Sequence, residues 1–325
     1  MKGSALLTAY REFDGRLIRL AAEAPLTHAI WIDLNRPTET EAAAVAALGI
    51  DVPTLEDMEE IEISNRLYRE NGIDYLTAQL TGHSETTGPV SGPVTFILSP
   101  VRLVTVRHHD SRPFETYPTR ADKVGPTCAN PNGIFLSLIE EIVGRLADLL
   151  ESSGRSLDHT SRTVYAPRKR GQNQQRLEVA LRQIGREAEL LGNIRQALLT
   201  LNRALSFYTQ TARERIGDEG MAGTVANLMR DMDALEVHTD FLSQRVGLAS
   251  DATLGMINLQ QNSTVRIVAV VAVLFSPPTL IASIYGMNFD VMPELSQPLG
   301  YPSALVAMLA SSTIAYLFFR WKNWL

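Results

Sequence analysis

The chain has 325 residues, 45% of them hydrophobic and 20% charged, with a formal net charge of −6. That length suits about two domains, and the acidic balance argues against nucleic acid as a partner. A single cysteine, Cys128, excludes an intrachain disulfide framework and any Cys-x-x-Cys metal site, which fits a reducing, cytosolic setting for the soluble part.

The first stretch, MKGSALLTAYREFDGRL, has an apolar run too short for a signal peptide, and acids follow at once. Any route into a membrane is therefore expected at the other end. Up to about residue 125 strand and helix signals alternate. HAIWIDLN (28–35) reads as a buried strand. TETEAAAVAALG reads as a helix, with Thr38 and Glu41 spaced as a capping box and Gly49 as the stop. A second helix starts at Thr54. NRLYRENGIDYLTAQL reads as a hairpin around Asn71-Gly72, and PVTFILSPVRLVTVRHH as two strands broken at Ser99-Pro100. The expectation is a small α/β domain over residues 1–130 with a mixed sheet.

Several polar groups in this region invite a chemical reading. His108 and His109, adjacent on a strand, would point to opposite faces and so would not share an ion. Glu56, Asp57, Glu59, Glu60 and Glu62 read first as a solvated helix face, with divalent cations as the alternative ligand. Cys128 has no organised His-Asp partner. No P-loop, Gly-x-Gly-x-x-Gly or His-Glu-x-x-His motif is present, so neither an enzyme nor an ATP-driven pump is expected.

From Ile134 onward helical periodicity dominates. Residues 134–159 form one amphipathic pattern and 174–211 a second. A third begins near Thr224 and meets no proline until Pro277, which is about 90 Å of helix. Alone in water such a helix is unstable, so residues 131–264 are expected to pack as a stalk.

Residues 265–325 are expected to form a membrane hairpin. Ile267 to Tyr285 and Tyr301 to Phe319 contain no charge. Each run would be about 28 Å long as a helix, close to the hydrocarbon thickness of a bilayer. Arg266 precedes the first run, and Arg320 and Lys322 follow the second, while the connecting loop 286–300 has no Lys or Arg. The positive-inside rule then places both termini in the cytoplasm and the loop outside, in an inner or plasma membrane.

Stepping along the third helix in alternating fours and threes from Asp251 meets Gly255, Asn258, Asn262, Val265, Ala269, Ala272, Ser276, Thr279, Ser283 and Gly286. Nearly all are small or polar. Close helix packing explains the alanines. A water-filled path explains them too, together with Asp251, Asn258 and Asn262 below the membrane. Pro277 and Pro278 remove amide donors, leaving the carbonyls of Val273 and Leu274 to find other partners or to mark a simple kink. Two helices cannot enclose a channel, so a pore would need several copies around an axis.

The loop sharpens this expectation. Gly286 sits where a helix-stopping glycine belongs, and the helix C-terminus carries partial negative charge. Asn288 adds a neutral oxygen there, which can hold a cation or its water without trapping it. Asp290 and Glu294 would raise the local cation concentration. A neutral amide suits Mg²⁺, which gives up its waters reluctantly.

The run YGMNF, then an acidic loop with MPEL, then GYP and a second span, resembles the CorA magnesium transporters; Gly286, Met287 and Asn288 match their Gly-Met-Asn signature, and the closing KNWL is also similar. The resemblance implies a homopentamer with a cytoplasmic α/β domain, a long stalk helix lining the pore and an outer helix. It implies that Asn288 forms the selectivity ring for hydrated Mg²⁺, Thr279 a polar ring, Asp251 an acidic ring and Val265 a hydrophobic constriction. It further implies gating by cytoplasmic Mg²⁺, although Asn227 stands where an acidic stalk residue is expected.

The expected function is channel-like uptake of Mg²⁺, with Co²⁺ and Ni²⁺ as further candidates. Uptake needs no pump, because a divalent ion gains about 4.6 kcal/mol on moving inward through 100 mV. The alternatives are a zinc transporter of the same superfamily, or a membrane-anchored sensor or scaffold that would need neither the stripe nor Asn288. The expected partners are further copies of the chain and membrane lipid, with no small-molecule substrate other than cations.

Overall fold

Asp14 and Gly15 both adopt positive φ, 54° and 73°, and turn the chain between β1 (Leu7–Phe13) and β2 (Arg16–Arg19). This hairpin was not expected from the sequence. The structure, a computed structural model, describes residues 7–60, 62–84, 88–123, 127–166, 173–212, 219–287, 292–293, 297–322 and 324. It divides into two compact units, Met1–Arg162 with Arg182–Ala249, and Thr163–Leu181 with Ser250–Leu325.

The first unit holds a seven-stranded sheet. After the hairpin come β3 (Trp31–Asn35), α1 (Glu39–Ala46), α2 (Leu55–Glu59), α3 (Ile63–Arg66), β4 (Leu67–Glu70), β5 (Ile73–Ser84), β6 (Gly88–Leu98), β7 (Leu103–Arg107) and α4 (Arg112–Thr116). The strand order is β2-β1-β3-β7-β6-β5-β4. Every pairing is antiparallel except β3 with β7. A parallel pair needs a long crossover, and here everything from α1 to β6 supplies it.

Local chemistry fixes the element ends. Thr38 accepts from the Glu41 amide at 3.3 Å while the Glu41 carboxylate accepts from the Thr38 amide at 2.8 Å, a complete capping box. Thr54 and Asp57 repeat the motif at α2. Gly49 follows α1 at φ 80°, and Asn71 and Gly72, at 51° and 81°, form the expected turn between β4 and β5. One expectation needs correcting. His108 and His109 are not on a strand, because β7 ends at Arg107.

Alternation along the strands gives the sheet two buried faces. Trp31, Leu76, Phe96 and Leu103 pack on one side with Phe135 and Tyr208. Ile32, Leu34, Ile97, Val104 and Val106 pack on the other with Val45 of α1 and Met58 of α2. Each such large side chain contributes about 1.5–3 kcal/mol by leaving water. The helices that cover the first face are α5 (Pro131–Tyr165) and α6 (Asn173–Ala212), and part of α7 (Glu219–Tyr285) joins them.

The second unit contains the end of α5, the start of α6, the rest of α7, and α8 (Gly300–Trp321). Val164, Leu177 and Ala180 pack with Met256 and Ile257. α7 is one helix of 67 residues that runs on through Pro277 and Pro278. Two helices, α7 and the 22-residue α8, are long and apolar enough to cross a membrane.

Candidate functional site

On α7, residues Asp251, Gly255, Asn258, Asn262, Val265, Ala269, Ala272, Ser276, Thr279 and Ser283 are all exposed within the single chain, as is Gly286 just beyond its end. Exposure of the small and polar members is unremarkable. Val265 is 67% exposed, and so, off this line, are Ile267, Val268 and Phe275 at 61%, 64% and 67%, so it is the residue types rather than the exposure that distinguish the line. At 100° per residue these positions cluster along one side of the helix. Val270, Leu274, Pro278, Ile281 and Tyr285 lie about half a turn away. All five are buried or half-buried, Val270 to 2% exposure.

The partner on that opposite side is α8. The Ser312 hydroxyl donates to the Leu274 carbonyl at 3.2 Å, and the Arg266 guanidinium lies 5.9 Å from the Trp324 ring centre. Moving down α7 from Leu274 to Arg266 thus corresponds to moving on from Ser312 past the end of α8, so the two helices run antiparallel. One of the two carbonyls freed by the prolines therefore finds a donor on the neighbouring helix. Thr279 bonds within α7, its hydroxyl donating to the Phe275 carbonyl at 2.7 Å, and its lone pairs stay open to the exposed side.

At the far end, α7 stops at Tyr285. Gly286 does not take the left-handed conformation expected of a helix-stopping glycine. Its amide still donates to Ala282 at 2.9 Å, and a Cβ there would come within 3.1 Å of the same carbonyl. Met287 follows, 47% exposed. Asn288, Asp290 and Glu294 lie outside the described residues.

A further row was missed in the sequence. Val237, Phe241 and Leu248 of α7 are 71%, 53% and 70% exposed in the first unit. The same four-three stepping, continued backwards from Asp251, reaches Leu248, Gln244, Phe241 and Val237. Apolar residues at this spacing form the seam of associating helices.

Other candidates come to less. The Asn227 side chain accepts from Arg230 at 3.3 Å and is exposed. Among the described residues no group of three His, Cys, Asp or Glu side chains converges. Cys128 is buried, donates to the Gly15 carbonyl at 3.1 Å, and has its thiol pKa pushed up by burial, the reverse of an activated nucleophile.

An α/β domain followed by long helices and two apolar helices long enough to cross a membrane is the architecture of a two-span membrane protein. Residues 27–321 match the family described as CorA-like Mg²⁺ transporter protein, and the chain belongs to that family. The magnesium transport protein CorA of Escherichia coli K12 is 32% identical over 323 residues, covering 98% of this chain and all of the relative. The CorA of Salmonella typhimurium matches over the same extent and identity. Among solved structures, the CorA magnesium transporter of Methanocaldococcus jannaschii aligns over 99% of both chains with a TM-score of 0.72 at 17% identity. The cytoplasmic domain of ZntB from Vibrio parahaemolyticus aligns over 77% of this chain and 97% of its own, with a TM-score of 0.56 at 10% identity. These last two likenesses concern the fold.

Proposed function

We propose that the chain forms a channel-like Mg²⁺ transporter in which several copies, five by the family resemblance, ring a central aqueous path. The observation that carries this reading is the run of small and polar residues on the side of α7 away from α8. This small and hydroxyl-bearing side lies opposite the side that α8 occupies, so in a ring α8 would face lipid and the edge would face the axis. The names of the 32%-identical relatives support Mg²⁺ as the ion.

In this reading α7 and α8 span the membrane with both termini cytoplasmic, as the flanking Arg266, Arg320 and Lys322 favour. Asn288 forms the outer ring and binds Mg²⁺ through its retained waters, with Gly286 and Met287 shaping the approach and Asp290 and Glu294 concentrating cations. Ser283, Thr279 and Ser276 continue the path as hydroxyl rings. Val265 narrows it, and Asn262, Asn258 and Asp251 line the inner mouth. The membrane potential drives the ion inward, and cytoplasmic Mg²⁺ closes the path. Co²⁺ and Ni²⁺ are further cargoes.

The test is ion influx into liposomes carrying the full-length protein. Mg²⁺, Co²⁺, Ni²⁺ and Zn²⁺ are compared for the natural chain and for Asn288→Ala. Mg²⁺ influx in the natural chain and its loss in the variant are expected. Unchanged Mg²⁺ influx in Asn288→Ala would remove the ring, and a preference for Zn²⁺ would move the protein to the zinc branch.

A further inference from the structure

We infer that Ser312 of α8 is a positioning residue for the ion path, because its hydroxyl replaces the hydrogen bond that Pro278 deletes from α7. This rests on the transport reading above. The amide of residue 278 would ordinarily donate to the carbonyl of residue 274, and proline has no such donor. In apolar surroundings a carbonyl without a partner is costly, and a neighbouring hydroxyl is one of the few groups able to satisfy it.

Three successive side chains on α8 carry hydroxyls, and they behave differently. Ser311 donates to Met308 and Thr313 to Leu309, both at 2.8 Å and both within α8. Ser312 instead crosses to Leu274 on α7 at 3.2 Å. The local bond available to its neighbours is given up for one across the helix pair. A serine used only to pack closely would have no need of that direction.

The location gives the bond its consequence. Leu274 lies on the side of α7 away from Ser276, Thr279 and Ser283, a little over one turn before Thr279. Drawing its carbonyl toward α8 keeps this polar group off the ion path. It also pins the turn where two consecutive prolines leave α7 with fewest internal bonds. Without Ser312 the carbonyl must take water or the helix must bend to reach another donor, and either change moves the hydroxyl rings relative to one another.

The experiment is a double-mutant cycle that exploits the chemistry of residue 278. Pro278→Ala restores an amide N–H for the Leu274 carbonyl and makes the serine redundant. Mg²⁺ influx is measured in liposomes for Ser312→Ala alone and in the Pro278→Ala background, with Ser312→Thr as the conservative variant. With Pro278 in place, Ser312→Ala is expected to lower influx about threefold or more, about the value of one hydrogen bond. In the Pro278→Ala background it should have little effect, and Ser312→Thr should retain influx.

A second readout does not depend on transport. Labelling leucine carbonyls with ¹³C and phenylalanine amides with ¹⁵N selects the Leu-Phe peptides at 274–275 and 317–318. In lipid bilayers Ser312→Ala should shift one of these two carbonyl signals upfield. An unshifted pair of signals, or an influx loss of equal size in both backgrounds, overturns the inference. If the natural chain passes no Mg²⁺, the transport reading fails while the carbonyl shift still decides whether the bond exists.

Discussion

The imidazole of His109 rests on Gly92 of β6, so closely that a Cβ on that glycine would fall 2.7 Å from Nδ1. Gly82 of β5 meets the same ring, and a Cβ there would also come within 2.5 Å of the Asp110 carbonyl oxygen. The glycines leave the space that the histidine fills. Gly92→Ala and Gly82→Ala should each destabilise the protein by about 1–3 kcal/mol through overpacking. Gly82→Ala should be the worse, since backbone cannot swing aside as a ring can. Thermal melts of the full-length protein in detergent check the order, and adding His109→Ala should rescue Gly92→Ala more than Gly82→Ala.

The same burial makes the sheet-bearing unit sensitive to acid. His109 is 5% exposed, and burial first, then the Arg107 cation, lower its pKa to about 4 from 6.5, with Asp110 acting the other way. The folded protein therefore keeps the ring neutral where the unfolded chain would protonate it. The resulting stability is complete above pH 6.5 and is lost as pH falls toward 4, with a slope of at most about 1.4 kcal/mol per unit. His108 is shifted in the same direction, chiefly by burial. His109→Gln should flatten the pH dependence of the melting temperature in this window, and an unchanged slope would place the acid sensitivity elsewhere.

Asp33 and Arg107 form a buried pair on the parallel strands β3 and β7. Arg107 Nη2 donates to Asp33 at 2.8 Å, Thr105 donates to the same carboxylate at 2.7 Å, and Trp31 donates to Thr105 at 3.1 Å. Removing one member strands the other charge. Arg107→Met should cost about 3–5 kcal/mol, whereas the pair Asp33→Leu with Arg107→Met should recover part of it. Arg107→Lys should behave as a loss, because a single ammonium cannot reproduce the fork. Denaturant melts of the three variants provide the comparison.

These contacts also mark how far the sequence could be read. Thr38 with Glu41, and Asn71 with Gly72, are local chemistries, so their helix start and hairpin were legible. The two apolar runs were legible because a bilayer demands unbroken length. The Asp14-Gly15 turn carries the same kind of signal as Asn71-Gly72, but the strands it joins are short and their pairing is not fixed by that dipeptide alone. The pairing of β3 with β7 joins residues about 70 apart in the chain, and no local pattern encodes it. Ser312 looked like any small residue of a packed helix until its acceptor on α7 was known. The role proposed for Asn288 rests on its chemistry and its neighbours in the chain, since the residue itself lies outside the described residues.

The row Val237, Phe241 and Leu248 makes a prediction about assembly. A leucine moved from water into a helix seam contributes about 1.5–3 kcal/mol, and the proposed ring would repeat the contact at every interface. Leu248→Asp or Phe241→Glu places a charge in that seam instead. Each variant should shift the detergent-solubilised protein toward smaller species by light scattering coupled to size exclusion. The far-ultraviolet helix signal should be retained, since both positions are exposed within the single chain. An unaltered mass would show that this row faces solvent in the assembly.

Thr279 offers the sharpest separation between packing and transport. Its hydroxyl already donates to Phe275, so the oxygen lone pairs are what it presents to the exposed edge of α7. Valine has nearly the same shape and removes only the oxygen. If the edge lines an aqueous path, Thr279→Val deletes one hydration contact per subunit, each worth about 0.5–1.5 kcal/mol. Initial Mg²⁺ influx into liposomes should then fall by about twofold to tenfold. Thr279→Ser, which keeps the oxygen, should remain near the natural rate. A close-packed helix interface predicts the opposite ranking, because there the lost methyl of serine matters more than the lost oxygen of valine.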